Sequence, residues 1–164
     1  MTDYLRFASP LGPMYATAKH GAVTGVYFEG GRHAPRIDPA WTESPGDPAL
    51  AACAAQLVEY LEGRRNRFDL RLAAKGTPFQ QAVWREIARI PAGATVSYAE
   101  LARRAGFPGA ARAAGAATGR NPLSIVVPCH RVVGSAGALT GYAGGLERKA
   151  RLLALEGAGL GAAA

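Results

Sequence analysis

Cys129, His130 and Arg131 are adjacent residues whose side chains can do chemistry together: a thiol, an imidazole and a guanidinium in one short run, Ile-Val-Val-Pro-Cys-His-Arg-Val-Val-Gly, from Ile125 to Gly134. Pro128 fixes its own backbone and pushes Val127 to extended geometry. Cys129 is therefore expected where a strand-like segment stops and a bend begins. Only the thiolate is a strong nucleophile, and a free thiol's pKa of about 8.5 falls to roughly 3.5 to 7.5 beside cationic groups. His130 and Arg131 offer that setting. The residues alone leave a second reading open, in which Cys129 is a small buried hydrophobe and its two neighbours are solvated bend residues.

The elements around this run read as follows. Tyr4 to Ala8, Met14 to Ala18 and Val23 to Phe28 are short β-prone runs separated by turn residues, which predicts an antiparallel meander. A Gly- and Pro-rich surface loop, Glu29 to Asp47, shows no chemistry. A helix from Pro48 to Gly63 places Leu50, Cys53, Leu57, Tyr60 and Leu61 on one face, so Cys53 reads as core. A strand from Phe68 to Leu72 closes a small α+β domain over residues 1–75. Thr77 and Pro78 then open a helix running to Ile90. Ser97 and Glu100 form a capping box that opens the helix Tyr98 to Ala105, and Gly106 closes it. After Phe107-Pro108-Gly109, a second helix runs from Ala110 to Thr118, with Arg112 as its one large side chain. Helix, glycine-containing turn and helix make a helix-turn-helix. Past Cys129, Gly134 to Gly145 is a glycine-rich loop that suits a pocket wall. A last helix, Leu146 to Glu156, completes a domain over 76–157 and leaves a frayed tail at 158–164.

Charge is unevenly divided over the 164 residues. The net charge is +7, and residues 76–164 hold 10 Lys and Arg against 4 Asp and Glu, while residues 1–75 hold 9 against 8. Between Glu100 and Glu147 there is no acidic side chain, yet Arg103, Arg104, Arg112, Arg120 and Arg131 fall there. Such a stretch suits a polyanionic partner. Two cysteines without Cys-x-x-Cys spacing and three scattered histidines argue against a disulfide framework or a zinc cluster. No run approaches the ~18 apolar residues of a membrane span, and a cytoplasmic protein is expected.

Pro-Cys-His-Arg resembles the acceptor motif of the O6-alkylguanine-DNA alkyltransferases, also called methylated-DNA:protein-cysteine methyltransferases, in their bacterial type without a regulatory zinc domain. Thr-Pro-Phe-Gln at 77–80, Val83-Trp84, Ile90-Pro91, Ser97-Tyr98, Arg112, Asn121-Pro122, Tyr142-Ala-Gly-Gly and Leu152 to Gly157 extend the likeness. The resemblance implies an α+β protein whose second domain is helical and winged-helix-like. It implies repair of O6-alkylguanine, and of O4-alkylthymine, by transfer of the alkyl group to Cys129, once per molecule and with neither metal nor other cofactor. His130 would activate Cys129 through a water, Glu156 would orient His130, and Tyr98 would donate its hydroxyl to the guanine ring. Cys129, Val132 and Ala143 would hold the base edge with backbone groups, Tyr142 would line the base pocket, and Asn121 would brace the turn before Cys129. Arg112 would fill the space of the extruded base, and Arg103, Arg104, Arg120 and Arg131 would meet DNA phosphates.

The expected partner is double-stranded DNA bound by a monomer. Two rivals are a helix-turn-helix DNA-binding protein without chemistry, against which Cys129 itself counts, and a cytosolic thiol hydrolase built on Cys, His and Glu.

Overall fold

A computed structural model describes residues 1–158, so all but the first residue of the expected tail lies outside the described residues. The chain forms two compact units. One comprises Met1–Lys75 with Pro122–Val126, and the other Gly76–Asn121 with the chain from Val127 onward.

In the first unit β1 (Asp3–Phe7), β2 (Met14–Lys19) and β3 (Ala22–Phe28) form the antiparallel meander expected from their turn residues, with Tyr4 opposite Thr17 and Tyr15 opposite Tyr27. A two-residue strand, β4 (Thr42–Glu43), adds in parallel to β1 and gives the sheet order β3-β2-β1-β4. Helix α1 (Pro48–Leu61) packs on the sheet. The Asp47 side chain caps it by accepting from the Ala49 and Leu50 N–H groups, and Cys53 is fully buried.

The strand expected at Phe68–Leu72 does not form; only Leu72 makes an isolated bridge, to Val23. The Gln56 side chain takes both backbone groups of Asp69, accepting from its N–H at 2.8 Å and donating to its carbonyl at 3.0 Å, while Phe68 stacks on Tyr60. The segment's pairing with β3 is confined to Val23, whose N–H donates to Arg71 O at 2.8 Å and whose carbonyl accepts from Ala73 N–H at 2.9 Å. Further along β3 the edge is taken by Pro122, whose carbonyl accepts from Val26 N–H at 2.7 Å, and by Ser124, whose N–H donates to Val26 O at 3.1 Å. Pro122–Val126, which lies inside 76–157 in sequence, is thereby grouped with the first compact unit.

In the second unit the Thr77 hydroxyl and the Gln80 side chain cap each other's backbone N–H at the start of α2 (Pro78–Ala88). Helix α3 (Tyr98–Arg104) starts at Ser97, but the expected capping box is only half made. The Ser97 hydroxyl accepts from Glu100 N–H, whereas the Glu100 carboxylate turns outward to Arg103 and Arg104. Gly106, at φ +94, lets the chain reverse toward α4 (Ala111–Gly119). Just ahead of α3, the pair Val96–Ser97 (β5) runs parallel to Val132–Val133 (β6), and α5 (Leu146–Leu155) ends the unit.

Trp84, 5% exposed, donates its indole N–H to the carbonyl of Ala117 at 2.8 Å and so fastens α2 to α4. Replacing Trp84 with Phe keeps most of the packing but strands a buried carbonyl. The variant should lose about 1–3 kcal/mol of unfolding free energy in urea titration, and an unchanged midpoint would show that water replaces the indole.

Candidate active site

The apolar run before Cys129 is folded into consecutive tight turns rather than extended. Ile125 stands at φ +72, a left-handed conformation that β-branched residues rarely adopt, and Val126 N–H donates to Ser124 O at 2.8 Å. Cys129 N–H in turn donates to Val127 O at 2.8 Å, and Cys129–Arg131 form a single 3₁₀ turn ahead of β6. The Asn121 side-chain amide donates to the same Val127 carbonyl at 2.8 Å, tying the residue after α4 to the segment that delivers the thiol.

His130 is fully buried, and its Nε2 lies 2.8 Å from Glu156 Oε2 at the end of α5. Burial holds the imidazole pKa below its ordinary value, and Glu156 offsets only part of that. A neutral ring that donates from Nε2 to the carboxylate leaves Nδ1 as an acceptor. Nδ1 is buried and has no hydrogen-bond partner among the described residues.

Two expectations change here. Arg131 was expected to face phosphate. Its guanidinium instead lies inward, its side chain only 12% exposed, donating from Nε to Glu156 Oε1 at 2.8 Å, from one terminal nitrogen to Glu156 Oε2 at 2.7 Å and from the other to Ile90 O at 2.6 Å. A cation so engaged is a structural tie. The Cys129 thiol, expected to be acidified by its two neighbours, is pushed upward in pKa because it is buried. A hydrogen bond from Asn121 and the charge of Lys149 offset part of that rise. The resting side chain is a protonated thiol that needs a base.

Lys149 is the buried charge near Cys129 that sequence reasoning missed. Its ammonium is fully buried and donates to the carbonyls of Val132 at 2.7 Å, Thr140 at 2.6 Å and Gly141 at 3.1 Å. Burial lowers its pKa to about 8, and the nearby Cys129 pulls the other way. Its position three, four and seven residues before Leu152, Leu153 and Glu156 puts it on the buried stripe of α5, which was the available signal.

The other residues expected to hold a base lie on the glycine-rich loop, on β6 and at the start of α3. Tyr142 sets its ring edge-on to His130, with centroids 6.4 Å apart, and Ala143 follows it, half-buried. Val132 is buried, with its carbonyl on Lys149. Tyr98, at the start of α3, donates its hydroxyl to Thr140 O at 3.2 Å, and burial raises its pKa, so it keeps its proton. The ring lies beside Gly115 of α4.

On the helix-turn-helix, Arg112 and Arg120 are exposed and make no ion pair among the described residues. Arg103 and Arg104 are also exposed, but both bind the Glu100 carboxylate, which hydrogen bonds from Arg103 and then Arg104 hold down at a pKa of about 2. The three side chains together carry one net positive charge.

Comparisons with known proteins bear on this geometry. The family model described as 6-O-methylguanine DNA methyltransferase, DNA binding domain, matches residues 78–158, and the ribonuclease-like domain of the same methyltransferase matches residues 4–74. A methylated-DNA–protein-cysteine methyltransferase of Mycolicibacterium paratuberculosis is 45% identical over 156 residues, which covers 95% of this chain and 93% of the relative. A constitutive one from Bacillus subtilis is 43% identical, covering 95% and 96%. The crystal structure of Mycobacterium tuberculosis OGT in complex with DNA superposes with a TM-score of 0.86 at 44% identity, covering 94% of this chain and 92% of that one. With both of its units matched and relatives this similar along nearly its whole length, the chain belongs to the 6-O-methylguanine DNA methyltransferases.

Proposed function

We propose that this protein repairs DNA by moving an alkyl group from the O6 of guanine, and from the O4 of thymine, to Cys129. The observation that carries the reading is the buried His130–Glu156 pair directly after a buried thiol. In the proposed step the Cys129 S–H proton passes through a water to His130 Nδ1, and Glu156 stabilises the imidazolium that results. The thiolate attacks the alkyl carbon, a sulfur–carbon bond forms and the carbon–O6 bond breaks. Tyr98 donates a hydrogen bond from its hydroxyl to the guanine ring as negative charge develops there, and the proton held by the His130 imidazolium passes to the base through water, so guanine leaves neutral and both side chains regain their resting state. Backbone groups of Cys129, Val132 and Ala143 hold the base edge, and Tyr142 lines the pocket. The product is a thioether that no neighbouring thiol can reverse, which limits each molecule to one reaction without a cofactor.

A base stacked in a duplex cannot reach a buried thiol. It must be flipped out, at an unstacking cost of a few kcal/mol. Helix α4 suits that task. Ala113 and Ala116 are exposed and small enough for close docking, and Arg112 stands out from them as a long exposed cation. Exposed Arg120 serves as a phosphate contact, with Arg103 and Arg104 contributing less because they share Glu100. The DNA-bound state is proposed to be monomeric, and the protein cytoplasmic.

Three outcomes test this reading. Intact mass after mixing with an oligonucleotide containing O6-methylguanine should rise by one methyl group per molecule, mapped to Cys129. Label on Cys53, turnover beyond one equivalent of DNA, or binding with no mass change would favour the hydrolase or the plain DNA-binding protein. Because His130 is neutral down to a pH below the ordinary imidazole value, the wild-type transfer rate should hold as pH falls through about 6.5 and drop only below it. His130→Ala should lower the plateau by about 10²–10⁴-fold and remove that acid limb, with affinity for undamaged DNA unchanged. Arg112→Ala should slow repair of duplex strongly, even at saturating DNA, while reaction with free O6-methylguanine is spared. Full recovery at saturation, with a salt slope shallower by about one unit, would make Arg112 a phosphate anchor only.

A further inference from the structure

The first unit has a site of its own that the chemistry at Cys129 does not use. Tyr15, Thr17 and Tyr27 share one face of the sheet with Tyr4, and the segment after β3 folds over that face. The Tyr15 hydroxyl donates to the Pro35 carbonyl, and the Trp41 ring lies 6.3 Å from Tyr4. Beneath this cover is a cavity of about 240 Å³ whose wall includes Thr17, Lys19, Thr24, Tyr27, Trp41 and Lys75.

Three features of that wall point the same way. Its charged groups are two amines with no carboxylate among the lining residues, and neither lysine is ion-paired among the described residues. Its hydroxyls are ordered: Thr17 and Thr24 lie 2.8 Å apart, and the Tyr27 hydroxyl is held protonated by burial and so remains a donor. Its aromatic floor is built for purpose at Gly25, where a Cβ would come within 2.4 Å of the Tyr27 ring and 2.7 Å of the Thr17 hydroxyl. A glycine inside a strand costs stability, and here it lets Tyr27 lie down along the sheet. Flat rings, hydroxyl donors and two cations in one wall together recognise a heteroaromatic ring that bears a phosphate. The volume admits one such unit and excludes a duplex.

We infer that the first unit binds a single nucleotide, its base against Trp41 and Tyr27 and its phosphate on Lys19 and Lys75. The site is independent of the alkyl-transfer reading, since none of its residues belongs to that machinery. Both a free mononucleotide and one residue of an unpaired strand present this chemistry.

Incorporating 5-fluorotryptophan gives two ¹⁹F reporters, Trp41 at the site and Trp84 in the other unit. The Trp41 resonance should shift on adding thymidine 5′-monophosphate or single-stranded tetrathymidylate. Half-saturation should require at least tenfold more ligand in the Lys19→Gln/Lys75→Gln variant, and at least tenfold more thymidine than its monophosphate or tetrathymidylate. Equal action of the monophosphate and the tetranucleotide, per nucleotide, identifies a free nucleotide as the source; action of the tetranucleotide alone identifies an unpaired strand. The variant should still accept a methyl group from free O6-methylguanine, which confirms that it is folded. An unmoved Trp41 line, an unchanged midpoint in the double variant, or the same shift with inorganic phosphate alone overturns the inference.

Discussion

The buried carboxylate of Glu156 fixes the reactive turn. With its side chain only 2% exposed, it accepts from His130 and from two nitrogens of Arg131, and Arg131 carries the tie onward to the Ile90 carbonyl just past α2. One group thus joins the end of α5, the 3₁₀ turn that bears Cys129 and the chain leaving α2. Taking ions out of water costs several kcal/mol each, and the arrangement is tolerable only because every oxygen of the carboxylate has a charged or polar donor. Removing any one member leaves the others buried and unmatched. The backbone is fitted to the same point: Gly93 sits where a Cβ would lie 3.2 Å from the Glu156 carbonyl, so the turn after α2 can close against it.

That tie explains why the thiol is not acidified by the arginine two residues away. The charge of Arg131 is spent on Glu156, and His130, neutral because it is buried, contributes none. What remains is Lys149 and the Asn121 hydrogen bond, which reduce the effect of burial without overcoming it. If each molecule reacts once, as proposed, a thiol protonated at rest is the safer state, since the thiolate is also the form that oxidants attack.

Local signals in the chain were legible. The caps at Thr77 and Ser97, the glycine turn at Gly106, the apolar face holding Cys53 and the Cys129 motif each rest on neighbours within a few residues, and a reader of the sequence has those in hand. Phe68–Leu72 alternates like a strand, yet the Asp69 backbone is taken by Gln56, thirteen positions away, and only the bonds at Val23 join the segment to β3. The short ladder between β5 and β6 joins residues separated by a whole helix-turn-helix. Arg131 looked like its neighbours in an acid-free stretch because its carboxylate partner arrives twenty-five residues later. Lys149 was hidden by its type: a lysine on an apolar stripe reads as a solvated edge until its three carbonyl partners are known.

Those carbonyls bear on how a base enters. Thr140 O accepts from both Tyr98 and Lys149. In the proposed mechanism the Tyr98 hydroxyl turns to the guanine ring, which takes one donor away from Thr140. Thr140 is an exposed residue, so water can take the place of the lost donor, and the Lys149 ammonium stays in place through its bonds to Val132 and Gly141. The loop therefore keeps its shape while Tyr98 changes partner, and the phenol can serve the substrate without the pocket having to reorganise around it.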